Sequence, residues 1–192
     1  MLQKTISNIY ITIDTYMFHM LHKNSAWLVF SEFLERPEEK HQIRRISKNI
    51  DLATTSVKKH IDELKRQGFV SEGKDIFKYY KAESDNEKFK FYKKINSLDK
   101  IENSGLLKYI EDETGCEVIY LFGSTAKGED TSKSDLDIYV QAPESDLNLQ
   151  KYEEELGKKI QLFFSEDINA LPLELRNNIL NGIKLRGYLK VF

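Results

Sequence analysis

Apolar positions in the first half of the chain recur at helical spacing and then give way to short strand-like runs. Trp27, Phe30, Phe33 and Leu34 share one helix face, which Asn24-Ser25 can cap. Pro37 and the charged stretch 38–40 end that helix. Ile43 and Ile46 mark a short second helix, and Asp51-Leu52-Ala53 a turn. A third helix turns Val57, Ile61 and Leu64 inward; Thr54, Thr55 and Ser56 are expected to cap it and Gly68 to end it. Phe69-Val70, a turn over 71–75 and the run over 76–80 then read as a two-stranded hairpin.

In the second half, Phe89, Phe91, Tyr92, Ile95, Leu98 and Ile101 predict a linking helix over 83–104. Its aromatic stripe suits a core face, a domain interface or a homodimer seam. A short helix around 106–110 precedes the apolar run 118–122, which reads as a buried central strand. Further strands are expected over 134–139 and 159–164. After them comes a helix ending near Gly182, then a closing strand with Ile183, Leu185 and Leu189. Residues 1–23 are undecided: Ile9, Ile11 and Ile13 alternate as in a strand, whereas Tyr16, Met17 and Met20 suit a helix.

A length of 192 residues allows one or two domains. No apolar run is long enough for a transmembrane helix, and no signal peptide is expected from the N-terminal residues. The single cysteine, Cys116, cannot form an internal disulfide, which fits a reducing cytoplasm; it reads as a small packed residue. A net charge of −2 offers no global argument for nucleic acid, so any such argument is local.

The chemistry concentrates in two runs: Leu-Phe-Gly-Ser-Thr-Ala-Lys-Gly at 121–128 and Ser-Asp-Leu-Asp-Ile-Tyr at 134–139. In a strand, residues two apart share a face, so Asp135 and Asp137 project side by side beside the Gly-Ser turn. Two adjacent carboxylates are most easily kept ionised by a cation between them, and exposed backbone N–H groups suit the phosphates that cation carries. The plainer alternative is a solvated Asp pair at a strand end.

Gly123-Ser124, a spacer and Asp135-Leu136-Asp137 resemble the signature of the nucleotidyltransferase superfamily that includes DNA polymerase beta, and within it the minimal nucleotidyltransferases of prokaryotes. The resemblance covers 105–192 and implies a small α/β domain with a mixed sheet. It implies that Asp135 and Asp137 hold Mg²⁺, in a two-metal site, and that Gly123, Ser124, Thr125, Lys127 and Gly128 bind an NTP, ATP foremost. The reaction implied is transfer of a nucleoside monophosphate to a protein or nucleic-acid hydroxyl, with pyrophosphate leaving. Two positions depart from the pattern. Thr125 stands where relatives often carry a basic residue. Gln161 stands on the strand where active members carry a third carboxylate, which puts the second metal in doubt unless Glu153, Glu155 or Glu166 substitutes.

Three helices and a hairpin are the order of a winged helix-turn-helix, and residues 43–69 look like the reading half of regulators of the MarR and ArsR kind. Ser56, Lys58, Lys59, Lys65 and Arg66 on the third helix, with Lys74 and Lys78 on the wing, are the candidate DNA contacts. Asp62 and Glu63 on the same helix argue for plain solvation or protein docking instead.

The expected organisation is thus α+β: residues 1–23 of undecided structure, a winged helix-turn-helix over 24–82, a linking helix over 83–104 and a nucleotidyltransferase domain over 105–192. The order resembles a prokaryotic, especially archaeal, family joining the two. Minimal nucleotidyltransferases often act as antitoxins on a partner toxin of the HEPN type, and the resemblance implies such a protein partner. Two other readings stand beside this one. The first is a non-enzymatic DNA-binding regulator whose degenerate domain senses nucleotide or docks a partner. The second is an RNA-end transferase, for which the chain is short.

Overall fold

A computed structural model describes residues 24–189 of the chain, so the undecided segment 1–23 lies outside the described residues. The chain divides into two compact units at Asn86/Glu87.

The first unit has α1 (Ser25–Glu35), α2 (Ile43–Asn49), α3 (Thr54–Arg66), β1 (Val70–Lys74) and β2 (Lys78–Ala82). Asn24 caps α1: its side chain accepts from the N–H of Ala26 at 2.9 Å. Val29, Phe30, Phe33 and Leu34 of α1 are buried, as are Ile46 of α2 and Val57, Ile61 and Leu64 of α3. Thr54, Thr55 and Ser56 do not cap α3. The N-cap is Ala53, with no side-chain bond, and the hydroxyl residues form the first turn of the helix itself. Gly68, at φ +74°, ends α3 as expected.

The hairpin turns later than expected, over Asp75-Ile76-Phe77 rather than 71–75. Gly73 is not a turn residue but lies within β1 opposite Tyr79. A Cβ there would stand 2.3 Å from the Tyr79 ring, so the missing side chain makes room for the aromatic across the ladder. Ile76 and Phe77 are left exposed at the tip. His41 adds one further rung: its N–H donates to Tyr80 O at 2.7 Å and the Tyr80 N–H returns the bond at 2.8 Å.

The second unit has α4 (Glu87–Asn103), α5 (Leu106–Thr114), β3 (Ile119–Phe122), α6 (Gly123–Lys127), β4 (Leu136–Val140), α7 (Gln150–Leu156), β5 (Ile160–Phe164), a 3-10 turn (Ile168–Ala170), α8 (Leu173–Leu180) and β6 (Ile183–Arg186). The sheet order is β5-β4-β3-β6. It is mixed: β4 and β5 run parallel, and the other pairs are antiparallel. Strand alternation splits the core in two. Ile119, Leu121, Leu136, Ile138, Val140 and Ile160 join one cluster with Leu106, Leu107 and Ile110 of α5. Phe122 and Tyr139 join the other with Ile168 and with Ile179 of α8, and Tyr120 and Phe163 pack against it. Full burial of one such side chain, Ile138 for instance, contributes about 1.5–3 kcal/mol.

α4 departs from the aromatic stripe. Phe89 is buried but Phe91 is exposed, and the buried face continues through Lys93, Asn96 and Asp99 before Ile101. β6 is fixed at the sheet edge by Arg186, whose guanidinium donates to both carboxylate oxygens of Glu102, at 2.7 and 3.0 Å. Arg186 is thereby engaged within the fold. Among the described residues, no helix is long and apolar enough to cross a membrane.

Candidate nucleotidyl-transfer site

Three strands place the candidate residues in one row. In the sheet register Phe122 of β3 stands opposite Asp137 of β4, and Asp137 opposite Gln161 of β5. By parity Asp137 and Gln161 lie on the face of Tyr139 and Phe163, the face that α8 covers further along. Asp135 precedes β4 by one residue and comes to the same place: the Gln161 amide donates to Asp135 Oδ2 at 2.5 Å. Asp135, Asp137 and Gln161 are thus brought together.

Gly123 follows Phe122 directly, at φ +73°. A Cβ at this position would lie 2.1 Å from Asp137 Oδ2, so the chain passes against the carboxylate with no space for a side chain. What was expected as a polar turn is the short helix α6, opened by Gly123 and Ser124. The first N–H groups of a helix have no partner within it. Those of α6 begin beside the Asp pair.

The remaining expected phosphate contacts are placed differently from one another. Ser124 is half-buried and Lys127 exposed. Thr125 is buried, and its hydroxyl has no hydrogen-bond partner. Gly128 is buried at φ +74°, where a Cβ would meet the Lys90 carbonyl at 2.3 Å; its role is close packing of α6 on α4.

Burial and, second to it, the charge of Asp135 raise the Asp137 carboxyl above its ordinary value. A carboxylate pair left in this state favours a cation. The two acids fit one Mg²⁺, which takes one or two protein carboxylates and completes its shell with water and phosphate oxygens. For a second ion, position 161 beside Asp137 offers an amide where a third acid would stand. Among the described residues no group of three His, Cys, Asp or Glu side chains is placed to hold a metal ion. Glu153 is engaged elsewhere, with Lys159 at 2.6 Å and the Ile160 N–H at 3.0 Å.

Sequence reasoning did not find the residues behind Asp135. Asp130 is 2% exposed and receives two ammonium groups at Oδ2, Lys93 at 3.3 Å and Lys158 at 3.0 Å. Lys158 also donates to Thr131 O at 2.8 Å and Ser134 O at 3.3 Å. The one local signal is Gly157, at φ +66°, which ends α7 just before Lys158.

On the first unit, most candidate DNA-contacting cations are held by acids. Lys58 pairs with Asp62, Arg66 with Glu63, and both Lys65 and Lys78 with Glu72. Lys59 and Lys74 are exposed and make no ion pair among the described residues. Ser56 is half-buried in the first turn of α3.

No curated protein shows significant similarity to the chain. A solved structure described as the crystal structure of a toxin-antitoxin with AMP-PNP is 27% identical; the match covers 45% of this chain and 73% of that one, with a TM-score of 0.37. Residues 104–186 match the family described as polymerase beta, nucleotidyltransferase. This span holds the Gly-Ser turn, the Asp pair and all four strands of the mixed sheet, and it is a polymerase-beta-like nucleotidyltransferase domain.

Proposed function

We propose that this domain binds an NTP, ATP foremost, together with Mg²⁺, and transfers its nucleoside monophosphate to a hydroxyl of a protein or nucleic acid. The observation that carries the reading is the closeness of Gly123 to the Asp137 carboxylate, which sets the start of α6 directly beside Asp137. Asp135 and Asp137 would hold the cation, and the Gly123-Ser124 backbone and the Ser124 hydroxyl the phosphates. Bound there, the ion would neutralise phosphate charge and polarise the phosphoryl group. The acceptor hydroxyl gives its proton to solvent as its oxygen forms a bond to the α-phosphorus; the bond to the bridging oxygen breaks, and pyrophosphate leaves with that electron pair. Incubation with each radiolabelled NTP and Mg²⁺, alone and with lysate, tests this beside Asp135→Asn and Asp137→Asn. A labelled band absent from both variants is expected, and its chemistry identifies a protein or nucleic-acid acceptor. No label in any arm overturns transfer.

Gln161 favours a second reading. A neutral amide donating to Asp135 supplies neither charge nor a proton acceptor. On this reading the domain binds nucleotide without turnover, as a sensor or docking module. Nucleotide-induced thermal stabilisation without label would select it.

For the first unit we propose DNA binding by a winged helix-turn-helix, with α3 as the reading helix and β1–β2 as the wing. Exposed Lys59 and Lys74 would be the primary phosphate contacts. Each Lys→Ala change is expected to lower the salt slope of DNA binding by about 1. An unchanged slope in both argues for a protein-docking role.

A further inference from the structure

The turn that delivers Asp135 has little ladder of its own. Ser134 Oγ accepts from the Thr131 N–H at 2.9 Å, and the Ser134 N–H donates to Thr131 O at 3.2 Å. The first backbone bond to the sheet comes one residue after Asp135, from the Leu136 N–H to Lys159 O at 2.8 Å, and the Asp135 carboxylate itself meets the Gln161 amide of β5. Lys158 spans two of the turn's carbonyls, those of Thr131 and Ser134, and reaches Asp130. Asp130 is in turn held by Lys93 of α4. The side chains of Asp130 and Lys93 are 2% and 4% exposed, and that of Lys158 is 17% exposed.

Stability alone does not account for three charges in such a place. Desolvating them is costly, and apolar groups of similar volume usually serve a core as well or better. Asp130 Oδ1 even lacks a hydrogen bond. The trio does one thing an apolar cluster cannot: it holds two backbone carbonyls of the Asp135 turn in a fixed direction.

We propose that Lys158, anchored by Asp130 and Lys93, is a positioning residue that sets Asp135 beside Asp137 for joint binding of a divalent cation and a nucleoside triphosphate. This rests on the nucleotide reading above. Electrostatics and positioning predict opposite signs. As a nearby positive charge, Lys158 repels a cation at the carboxylates, so removing it would tighten cation binding. As a positioner, its removal loosens that binding.

The test uses the full chain with Lys158→Met and Lys158→Arg. Two quantities are measured: affinity for Mn²⁺, alone and with ATP, by calorimetry, and amide exchange across 131–140. Mn²⁺ alone is the arm in which charge and positioning differ in sign, since Mn²⁺–ATP is itself an anion. Lys158→Met is expected to weaken binding of Mn²⁺ alone, and of Mn²⁺–ATP with it, by about 10- to 100-fold, the usual effect of losing an outer-shell partner. It should also speed exchange at Thr131, Ser134 and Leu136 while leaving Ile138–Val140 unchanged. Arginine, which keeps the charge and the donors, should restore most of both. Unchanged or tighter binding of Mn²⁺ alone in Lys158→Met overturns the proposal. If the native chain itself does not bind Mn²⁺–ATP, the nucleotide reading fails and exchange alone decides whether Lys158 tethers the turn: unchanged exchange overturns that too. Should Lys158→Met not fold, Lys158→Gln is read by the same two measurements.

Discussion

Replacing Gly123 with alanine isolates the feature on which the site depends. The left-handed backbone at φ +73° costs an L-residue about 1–2 kcal/mol. Gly105, at φ +75° with nothing within 4 Å of a built Cβ, carries that same conformational cost and no other. Gly105→Ala is therefore the matched control. The two variants differ in one term. At Gly123 the new methyl meets Asp137 Oδ2 at 2.1 Å, whereas unstrained heavy atoms stand about 3.5 Å apart or more. The carboxylate must retreat by more than ~1 Å, and misplacement on that scale costs on the order of 10²-fold at a reacting centre. Both variants should melt lower, by about 4–8 °C per kcal/mol for a unit of this size. Only Gly123→Ala should lose Mn²⁺–ATP affinity and any label transfer. If Gly123→Ala binds Mn²⁺–ATP as Gly105→Ala does, the Asp137 carboxylate is not part of the site and the reasoning fails.

Other outcomes follow from the same geometry. The folded chain holds the Asp137 proton more tightly than the unfolded chain, so stability falls as pH rises from the ordinary carboxylate range through the raised value. Asp137→Asn should accordingly raise the melting temperature at neutral pH, with the gain vanishing in acid; a gain that persists there contradicts the assignment. Gln161→Asp should melt lower than the native chain in EDTA, through repulsion with Asp135 and Asp137, and recover when Mg²⁺ is added. Equal melting in both conditions would show that position 161 does not face the pair. The ammonium groups of Lys65 and Lys78 hold Glu72 down to about 2, so it stays charged and keeps both lysines occupied. Glu72→Gln should release them and steepen the salt dependence of DNA binding by about 1.8, at 0.9 per phosphate. No change would place DNA binding elsewhere.

The Asp pair was legible because strand alternation is a strict rule, and Gly-Ser because few residue types tolerate the backbone it needs. Gln161 was legible for the same reason: it is the polar position of its strand with the right parity. The hairpin was misread because Gly73 looks like a turn residue, whereas its purpose is set by Tyr79 across the ladder. The hydroxyl run at 54–56 looks like a cap, yet Ala53 takes that place. Asp130, Lys93 and Lys158 were not legible at all. Charged residues ordinarily lie at the surface. Only the meeting of α4, the turn before β4 and the start of β5 buries these three. Thr125 sits in the signature, but its burial is set by packing that the signature does not encode.

The row formed by Phe122, Asp137 and Gln161 has a consequence for folding. Its three members come from separate parts of the chain, and its last pairing is parallel, closed only after the α7 crossover is in place. Non-local parallel pairings form late because the chain loses its loop freedom before the contact repays it. On the proposed nucleotide reading, the site belongs to the finished sheet, since pairing of β5 is what brings Gln161 to Asp135 and Asp137. A ligand at a hundred times its dissociation constant would add about 2.7 kcal/mol to the finished sheet and nothing to its precursors. On the same reading, nucleotide would favour the finished sheet over the unfolded chain and so oppose unfolding of this domain.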